Sequence, residues 1–308
     1  MKNLSNITNG SEAVAKIAKI VVHPGIFHAD DVCVVAYLRL LGCLAPVERR
    51  TPSQEEMEDP TVLVADVGGR YEISAFNFDH HQKGGAGNRG ETGVAWASFG
   101  LVYDAIQPFN SDIAACFEKR VVEPVDATDC GWGTVEGTRP GLSFSATVAG
   151  FNPSAGATGG ERDKAFEKAV EFAKQVLANE MRHAEELVAA KTVVLEAATA
   201  LDKRVLVLER FVPWSDHLFR RDDQECLLYV VYPSERGGFC LQQVPVEAGS
   251  MAGRRPLPAE WAGLRSDELA GRLGLSSSTD SVFCHPGRFI GGADTYDDVM
   301  IMAALAVA

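Results

Sequence analysis

The feature that most constrains the fold is an unbroken apolar run, Val62–Ala65, which ends in the acid Asp66 and the glycine pair Gly68–Gly69. Four apolar residues without alternation are typical of a strand in a parallel sheet that is covered on both faces. The run therefore predicts an α/β domain in which Asp66 lies at the carboxyl end of a strand.

A second β-branched run, Ile20–Val22, ends at His23, and helix-compatible residues then continue from Asp31 to Leu41 before Gly42. This pattern predicts a strand, a loop and a helix. Ligands of open α/β sheets gather just beyond the carboxyl ends of the strands, where these polar residues fall. A functional site is therefore expected at that edge of the sheet.

The chain of 308 residues is longer than a single hydrophobic core usually supports, so two domains are expected. From Glu161 to about Ala200 the apolar residues recur at helical spacing, which predicts one long helix or two consecutive ones. Short β-type runs and a last helix from about Tyr296 follow. We predict an N-terminal parallel-sheet domain at 1–160, a helical connector at 161–200 and a smaller C-terminal α+β domain at 201–308.

Composition excludes several classes of protein. The formal net charge of −13 disfavours broad attachment to nucleic-acid phosphates, so a polyanionic substrate would need local metal ions or a confined basic patch. Seven cysteines without a C-x-x-C pair indicate neither a disulfide framework nor a zinc knuckle. No run approaches the roughly 20 apolar residues of a membrane span, and a secretory signal is absent, so a cytoplasmic protein is expected.

The first candidate site is the run from His23 to Asp31, in which His23, His28 and Asp30 fall within eight positions. Mixed imidazole and carboxylate ligands suit Mn²⁺, Fe²⁺ or Zn²⁺, and Mg²⁺ when water and substrate phosphate complete its shell. The alternative is that the histidines are hydrogen-bonded to backbone and that Asp30 or Asp31 caps the next helix.

The triplet Asp79-His80-His81 strengthens the metal hypothesis, because it directly follows another apolar-aromatic run. Asp126 and Asp129 add two acids, although their spacing alone is more often that of a solvated turn. With Asp66, the N-terminal half has enough ligands for two cations about 4 Å apart, bridged by one carboxylate.

These motifs resemble those of the melanocyte-proliferating-gene exonuclease family, a branch of the DHH phosphoesterase superfamily. The resemblance extends from His23 to about Met302. Its motifs, in chain order, are H-x-G-x-F-H-x-D from His23, V-x-D-V-G-G ending at Gly69, Y-D-H-H-Q represented here by Phe78–Gln82 with Phe in place of Tyr, V-D-A-x-D at Val125–Asp129, P-W-x-x-H-L at Pro213–Leu218 and F-I-G-G at Phe289–Gly292.

The resemblance implies a DHH-type phosphoesterase domain with two divalent ions, Mn²⁺ or Mg²⁺, and a C-terminal DHH-associated-like domain that binds substrate across a cleft. It implies that His23 and His28 hold one ion, that Asp30, His80 and Asp126 hold the other, and that Asp66 bridges them. His81 would face the substrate phosphate, and Asp79 would orient the histidines. Asp129 remains a ligand or a supporting residue.

In the C-terminal domain His285, Arg288 and the pair Gly291–Gly292 precede the last helix, where backbone amides and a guanidinium could hold a phosphate. Arg89 is a further candidate for substrate binding. Ala293–Asp294 stands where one version of the family pattern has a His-Arg pair, which puts substrate length and catalytic rate in doubt.

The leading hypothesis is a metal-dependent 3′–5′ exonuclease acting on RNA or short oligonucleotides, with Asp66, His80 and His81 as catalytic residues. One alternative is a phosphohydrolase for a small substrate, such as pyrophosphate or a signalling dinucleotide, which the acidic charge favours. Another is a non-catalytic binding protein stabilised by its metal. The sequence leaves open whether the chain forms a homodimer.

Overall fold

The computed structural model describes residues 10–107, 109–132, 143–250 and 252–308. The chain divides into two compact units, and the division falls between Glu185 and Glu186. It lies inside one continuous helix, α8 (Gly159–Glu196), at the place where the sequence predicts a helical connector. Apolar residues of α8 up to Ala184 belong to the core of the first unit, while Ala190 and Val194 belong to a core of the second.

The first unit is an α/β domain whose five-stranded sheet has the order β2-β1-β3-β5-β4, parallel except for the edge strand β4. Its elements are β1 (Lys19–Val22), β2 (Val47–Arg49), β3 (Val62–Ala65), β4 (Tyr71–Glu72), β5 (Asn77–Phe78), α1 (Gly10–Lys16), α2 (Ala29–Leu40), α3 (Gln54–Glu58), α4 (Ser98–Ala105), α5 (Ser111–Phe117), α6 (Glu123–Asp129) and α7 (Phe144–Ala149). The predicted strands at Ile20–Val22 and Val62–Ala65 are confirmed.

The core of this unit forms around α2, which packs against α4, α6 and α7. Ten of its twelve residues are buried, as expected of a helix that is apolar on nearly all sides. Helix α4 begins at Ser98. The backbone amides of Ser98 and Phe99 donate to the carboxylate of Asp30 at 2.9 and 2.6 Å, which satisfies the first turn and fixes where the helix begins.

The second unit has a mixed six-stranded sheet with the order β10-β11-β9-β8-β7-β6, in which only the β7–β8 pairing is parallel. Its elements are β6 (Thr199–Ala200), β7 (Val205–Val207), β8 (Tyr229–Pro233), β9 (Phe239–Gln243), β10 (Phe283–Cys284), β11 (Ile290–Ala293), α9 (Ser215–Leu218), α10 (Ser266–Leu273) and α11 (Tyr296–Val307). Strands β7 to β10 and the last helix lie where the sequence predicts them, whereas β6 and β11 were not predicted.

Alternate residues of the central strands of this sheet belong to two different apolar clusters. Tyr229 and Val231 pack with residues of α10 and α11, whereas Val230 packs with Trp214 and Leu218. The sheet is therefore covered on both faces. Within the described ranges, no helix combines the length and the apolar character needed to cross a membrane.

Candidate metal centre

The candidate site lies where three neighbouring strands of the first sheet end. Strand β1 leads into His23, β3 into Asp66 and β5 into Asp79-His80-His81. Because β1, β3 and β5 are parallel neighbours in that order, their carboxyl ends lie side by side. The sheet topology thus brings together residues that are more than fifty positions apart.

Asp66 is at the centre of this arrangement. Its Oδ2 lies 3.3 Å from Nε2 of His23, and its Oδ1 lies 3.4 Å from Nε2 of His80. Its backbone is left-handed, with φ of 59°, a conformation that only a small fraction of residues other than glycine adopt. A residue in this conformation raises the free energy of the folded chain, so contacts around it must stabilise it. Such residues cluster at functional sites.

Three groups of side chains in the described part of the chain could each hold a metal ion, since their ligand atoms lie within 4.8 Å of one another. They are His23, His28 and Asp66; Asp66, His80 and His81; and Asp30, His80 and Asp129. Asp66 belongs to two groups, one on each side of it. A carboxylate shared by two such groups could bridge two cations.

The polar atoms at the centre of the site support this interpretation. Five buried atoms, Nε2 of His23, Oδ2 of Asp31, Oδ1 and Oδ2 of Asp66 and Nε2 of His80, have no hydrogen-bond partner among the described residues. Buried side-chain polar atoms are normally hydrogen-bonded, so a cluster of exceptions needs a cause. Imidazole nitrogens and carboxylate oxygens are metal ligands, and divalent cations would give all five atoms a partner.

Two fully buried acids at the start of α2 add negative charge to the site. Burial, followed by the charge of Asp66, raises the pKa of both Asp30 and Asp31 well above its usual value. Asp31 Oδ1 accepts from the backbone amide of His28 at 2.8 Å, while Oδ2 lies 3.3 Å from Nε2 of His23. A cation at this place would favour the ionised carboxylates over the protonated ones.

His80 lies between three of the carboxylates. Its Nε2 is 3.4 Å from Asp66, 3.2 Å from Asp129 and 4.0 Å from Asp30. Burial lowers the pKa of His80, but the neighbouring carboxylates of Asp129, Asp66 and Asp30 outweigh burial and raise it to about 11. The site therefore attracts positive charge strongly.

Asp126, predicted as a metal ligand, is hydrogen-bonded to other residues of the protein. It is fully buried, its Oδ2 accepts from Nη2 of Arg89 at 2.8 Å, and its Oδ1 accepts from the amide of Gly100 at 3.0 Å. Burial raises the pKa of Asp126 to about 7, although Arg89 opposes the shift. Asp126 belongs to none of the three metal-capable groups in the described residues, and Asp129, one helical turn further along α6, lies beside His80 instead.

Arg89, predicted as a substrate contact, is also inside the protein. It is 7% exposed, and besides Asp126 it donates to Glu118 at 2.9 Å. Its guanidinium lies 3.7 Å from the ring centre of Trp96. These partners account for the position of Arg89 without a substrate.

His81, at the end of β5, differs from its neighbour His80 in exposure. The side chain of His81 is 61% exposed, whereas that of His80 is 10% exposed. Its Nδ1 lies 2.8 Å from Oδ1 of the buried Asp79, which also accepts from the amides of Gly69 and His81. Burial raises the pKa of Asp79, but these hydrogen bonds outweigh burial and hold it below its usual value. Asp79 thus fixes the His81 ring and leaves Nε2 available.

Sequence reasoning missed two neighbours of the site. The sequence indicates Asp31 only as a helix cap. A second acid directly after Asp30, in a loop with two histidines, also indicates a carboxylate near the metal site. Cys130, whose Sγ lies 3.8 Å from Nδ1 of His80, gave no signal, because its position depends on how α6 packs.

The residues predicted to bind substrate in the second unit lie in and beside a tight hairpin. His285 and Arg288 belong to the turn between β10 and β11, and the guanidinium of Arg288 donates to the carbonyl of Leu257 at 3.3 Å. Gly291 and Gly292 were expected in a loop but lie within β11, paired on both sides. Their conformation serves sheet packing, and the four predicted binding roles stay predictions.

The family model and the related proteins that match this chain all belong to one family. Residues 19–307 match the family model MYG1_exonuc, described as "Uncharacterised protein family (UPF0160)". A MYG1 protein of Saccharomyces cerevisiae is 28% identical over 96% of this chain and 97% of its own length. Proteins named MYG1 exonuclease in Homo sapiens and Mus musculus are each 27% identical over 94% of this chain, covering 86% and 85% of their own lengths.

No solved structure matches the chain significantly. The family model nevertheless spans nearly the whole sequence, including every residue of the candidate metal centre. The chain therefore belongs to the MYG1 exonuclease family (UPF0160).

Proposed function

We propose that this protein is a metal-dependent phosphodiesterase that removes nucleotides from the 3′ ends of RNA or short oligonucleotides. The observation that carries the proposal is the position of Asp66, whose two carboxylate oxygens face different histidines while lacking hydrogen-bond partners among the described residues. The exonuclease names of the human and mouse relatives support a nucleic-acid substrate.

In this proposal the two ion positions share Asp66. His23 and His28 hold one Mn²⁺ or Mg²⁺, with Asp31 close to His23. His80, Asp30 and Asp129 hold the other. Asp129 replaces the Asp126 expected from sequence, because Asp126 is committed to Arg89.

Two divalent ions would neutralise the phosphodiester oxygens and lower the pKa of the attacking water. Side chains of the protein would orient the substrate phosphate. His81, held by Asp79 at 2.8 Å, presents Nε2 to the non-bridging oxygens of the scissile phosphate. Asp79 keeps this ring in one orientation and tautomer, a role that buried carboxylates commonly have beside histidines.

A net-acidic chain can bind a polyanion in this way because the local field comes from the ions rather than from the protein surface. The parallel first sheet with its site at the strand ends, and the mixed second sheet, support a DHH-type phosphoesterase domain followed by a DHH-associated-like substrate domain. Both placements remain part of the proposal.

A second candidate is hydrolysis of a small phosphoester, such as pyrophosphate or a dinucleotide. The formal charge of −13 favours it, because long polyanions are repelled by an acidic surface. Both candidates use the same metal centre and differ in the substrate alone.

One assay separates the candidates. Purified full-length protein is incubated with Mn²⁺ and, in parallel, with 3′-labelled and 5′-labelled RNA oligomers, pyrophosphate and dinucleotides. Stepwise release of nucleotides from the 3′ end is expected. Hydrolysis confined to pyrophosphate or dinucleotides would select the second candidate, and metal binding without hydrolysis of any substrate would refute both.

A further inference from the structure

The second unit contains an open cavity of about 820 Å³ whose lining includes one predicted binding residue, His285, and no residue of the metal centre. This volume is within the roughly 300–1,000 Å³ of pockets that bind small molecules and cofactors. Its lining includes four aromatic rings, those of Phe211, Tyr232, Phe239 and Phe283. So many rings around one open cavity indicate a planar ligand.

The four rings differ in exposure, because Tyr232 is buried and Phe239 and Phe283 are half-buried. Phe211 is 48% exposed and packs on Tyr232, with 5.1 Å between their ring centres. Phe239 packs edge-on against Tyr296, with 5.7 Å between their ring centres. An exposed phenylalanine loses favourable burial unless a partner covers it, so Phe211 is the clearest contact for a ligand.

Two exposed arginines line the same cavity. Arg236 lies in the turn between β8 and β9, and Arg265 lies with its guanidinium 5.9 Å from the ring centre of Phe283. Neither forms an ion pair with a carboxylate of the described residues. In a chain of net charge −13, unpaired guanidinium groups among aromatic rings are suited to an anionic ligand.

The turn that carries Arg236 is tightly built. The amide of Ser234 donates to the carbonyl of Gly238 at 2.9 Å, and the amide of Arg236 donates to Oγ of Ser234 at 3.2 Å. Gly238 has φ of 69°, and a Cβ there would lie 2.4 Å from the carbonyl oxygen of Ala293. The position of Arg236 at the cavity is therefore fixed by the fold.

We propose that this cavity binds two or more nucleotides of a single-stranded oligonucleotide, with bases stacked on Phe211 and Phe239 and phosphates held by Arg236 and Arg265. Stacking on aromatic rings combined with cationic contacts to the backbone is how single strands are bound without sequence preference. Glu235 and Asp280, which also line the cavity, are acceptors for the amino groups of base edges. The proposal rests on the proposed nuclease function for its ligand, but binding is measurable without hydrolysis.

The test uses full-length protein in EDTA and the anisotropy of a fluorescein-labelled pentaadenylate. Phe211→Ala is expected to raise Kd by about fivefold to a hundredfold, the cost of one lost stacking contact. Phe211→Leu, which keeps apolar bulk, is expected to weaken binding similarly, because the aromatic face is what matters. An abasic pentamer with the same phosphates should bind to the wild type as weakly as pentaadenylate binds to Phe211→Ala.

The phosphate contacts have their own signature. Arg236→Ala with Arg265→Ala should reduce the slope of log K against log salt by about 1.4, at about 0.7 for each arginine. Arg220→Ala, an exposed arginine outside the cavity, is the matched control and should leave Kd unchanged, with unfolding temperatures showing that all variants fold.

Wild-type affinity in Phe211→Ala, or equal affinity for the abasic pentamer, would overturn the proposal. If the wild type does not hydrolyse RNA but the Phe211 variants lose binding, the proposed function fails and the cavity proposal stands.

Discussion

Nη2 of Arg89 donates to Oδ2 of Asp126 at 2.8 Å, and both side chains are almost completely shielded from water. This ion pair accounts for the buried position of Asp126, and the predicted metal-ligand role of Asp126 stays a prediction. A buried ion pair is costly to break from one side, since the remaining charge stays desolvated.

We therefore predict that Asp126→Ala lowers the free energy of unfolding by about 3–5 kcal/mol, measured by urea denaturation of the metal-free protein. Metal content in the variant that remains folded should be close to that of the wild type. Normal stability combined with a lost metal ion would instead restore Asp126 as a ligand.

Asp129→Ala is the matched variant on the same helix, and the opposite result is expected. Asp129 is partly exposed and lies 3.2 Å from Nε2 of His80, so its removal takes away a ligand and leaves the core intact. Elemental analysis should show one bound Mn²⁺ per chain rather than two, with hydrolysis of RNA reduced by at least about a hundredfold. Two tightly bound ions in this variant would exclude Asp129 from the centre.

Asp66→Asn tests the bridging position better than Asp66→Ala. Asn tolerates the left-handed conformation seen at φ of 59°, whereas Ala would add backbone strain to the loss of the ligand. We expect activity to fall below detection while the unfolding temperature of the metal-free protein is kept. Substantial turnover by Asp66→Asn would contradict the shared-carboxylate geometry.

Removal of metal should destabilise the wild type. Burial of Asp30 and Asp31 beside Asp66 raises the pKa of both acids, so the ionised cluster favours unfolding unless a cation offsets it. Addition of Mn²⁺ at about one hundred times its Kd should raise stability by about 2.7 kcal/mol. Scanning calorimetry with EDTA and with Mn²⁺ measures this difference, and Asp66→Asn should show a much smaller one.

Gly292→Ala tests whether the glycine pair is required by packing. A Cβ at Gly292 would lie 2.8 Å from Cε1 of Phe283 and 2.9 Å from the carbonyl oxygen of Phe239. We predict a loss of about 1–3 kcal/mol in urea denaturation. Gly271→Ala is the control, because its Cβ meets nothing within 4 Å and the helix should gain up to about 1 kcal/mol. Equal stability of the two variants would contradict the packing role.

The sequence by itself predicted two strands of the first sheet and the residues that could hold a metal at their ends. Short apolar runs ending in His23 and Asp66 indicated a parallel sheet, and parallel neighbours end at one edge. Local patterns are enough to predict these strands, because an apolar run and the polar residue that ends it are adjacent in the sequence. The ordered motifs also identified the family, which the match over residues 19–307 confirms.

Only the tertiary structure shows which of Asp126 and Asp129 lies beside His80 and which pairs with Arg89. Residues three apart on a helix lie on the same face, so spacing cannot say which carboxylate meets His80 and which meets Arg89, 37 positions away from Asp126. The same holds for Gly291 and Gly292, which read as a loop but pack within a strand. In each case the outcome depends on contacts between distant segments, and those contacts exist only once the chain has folded.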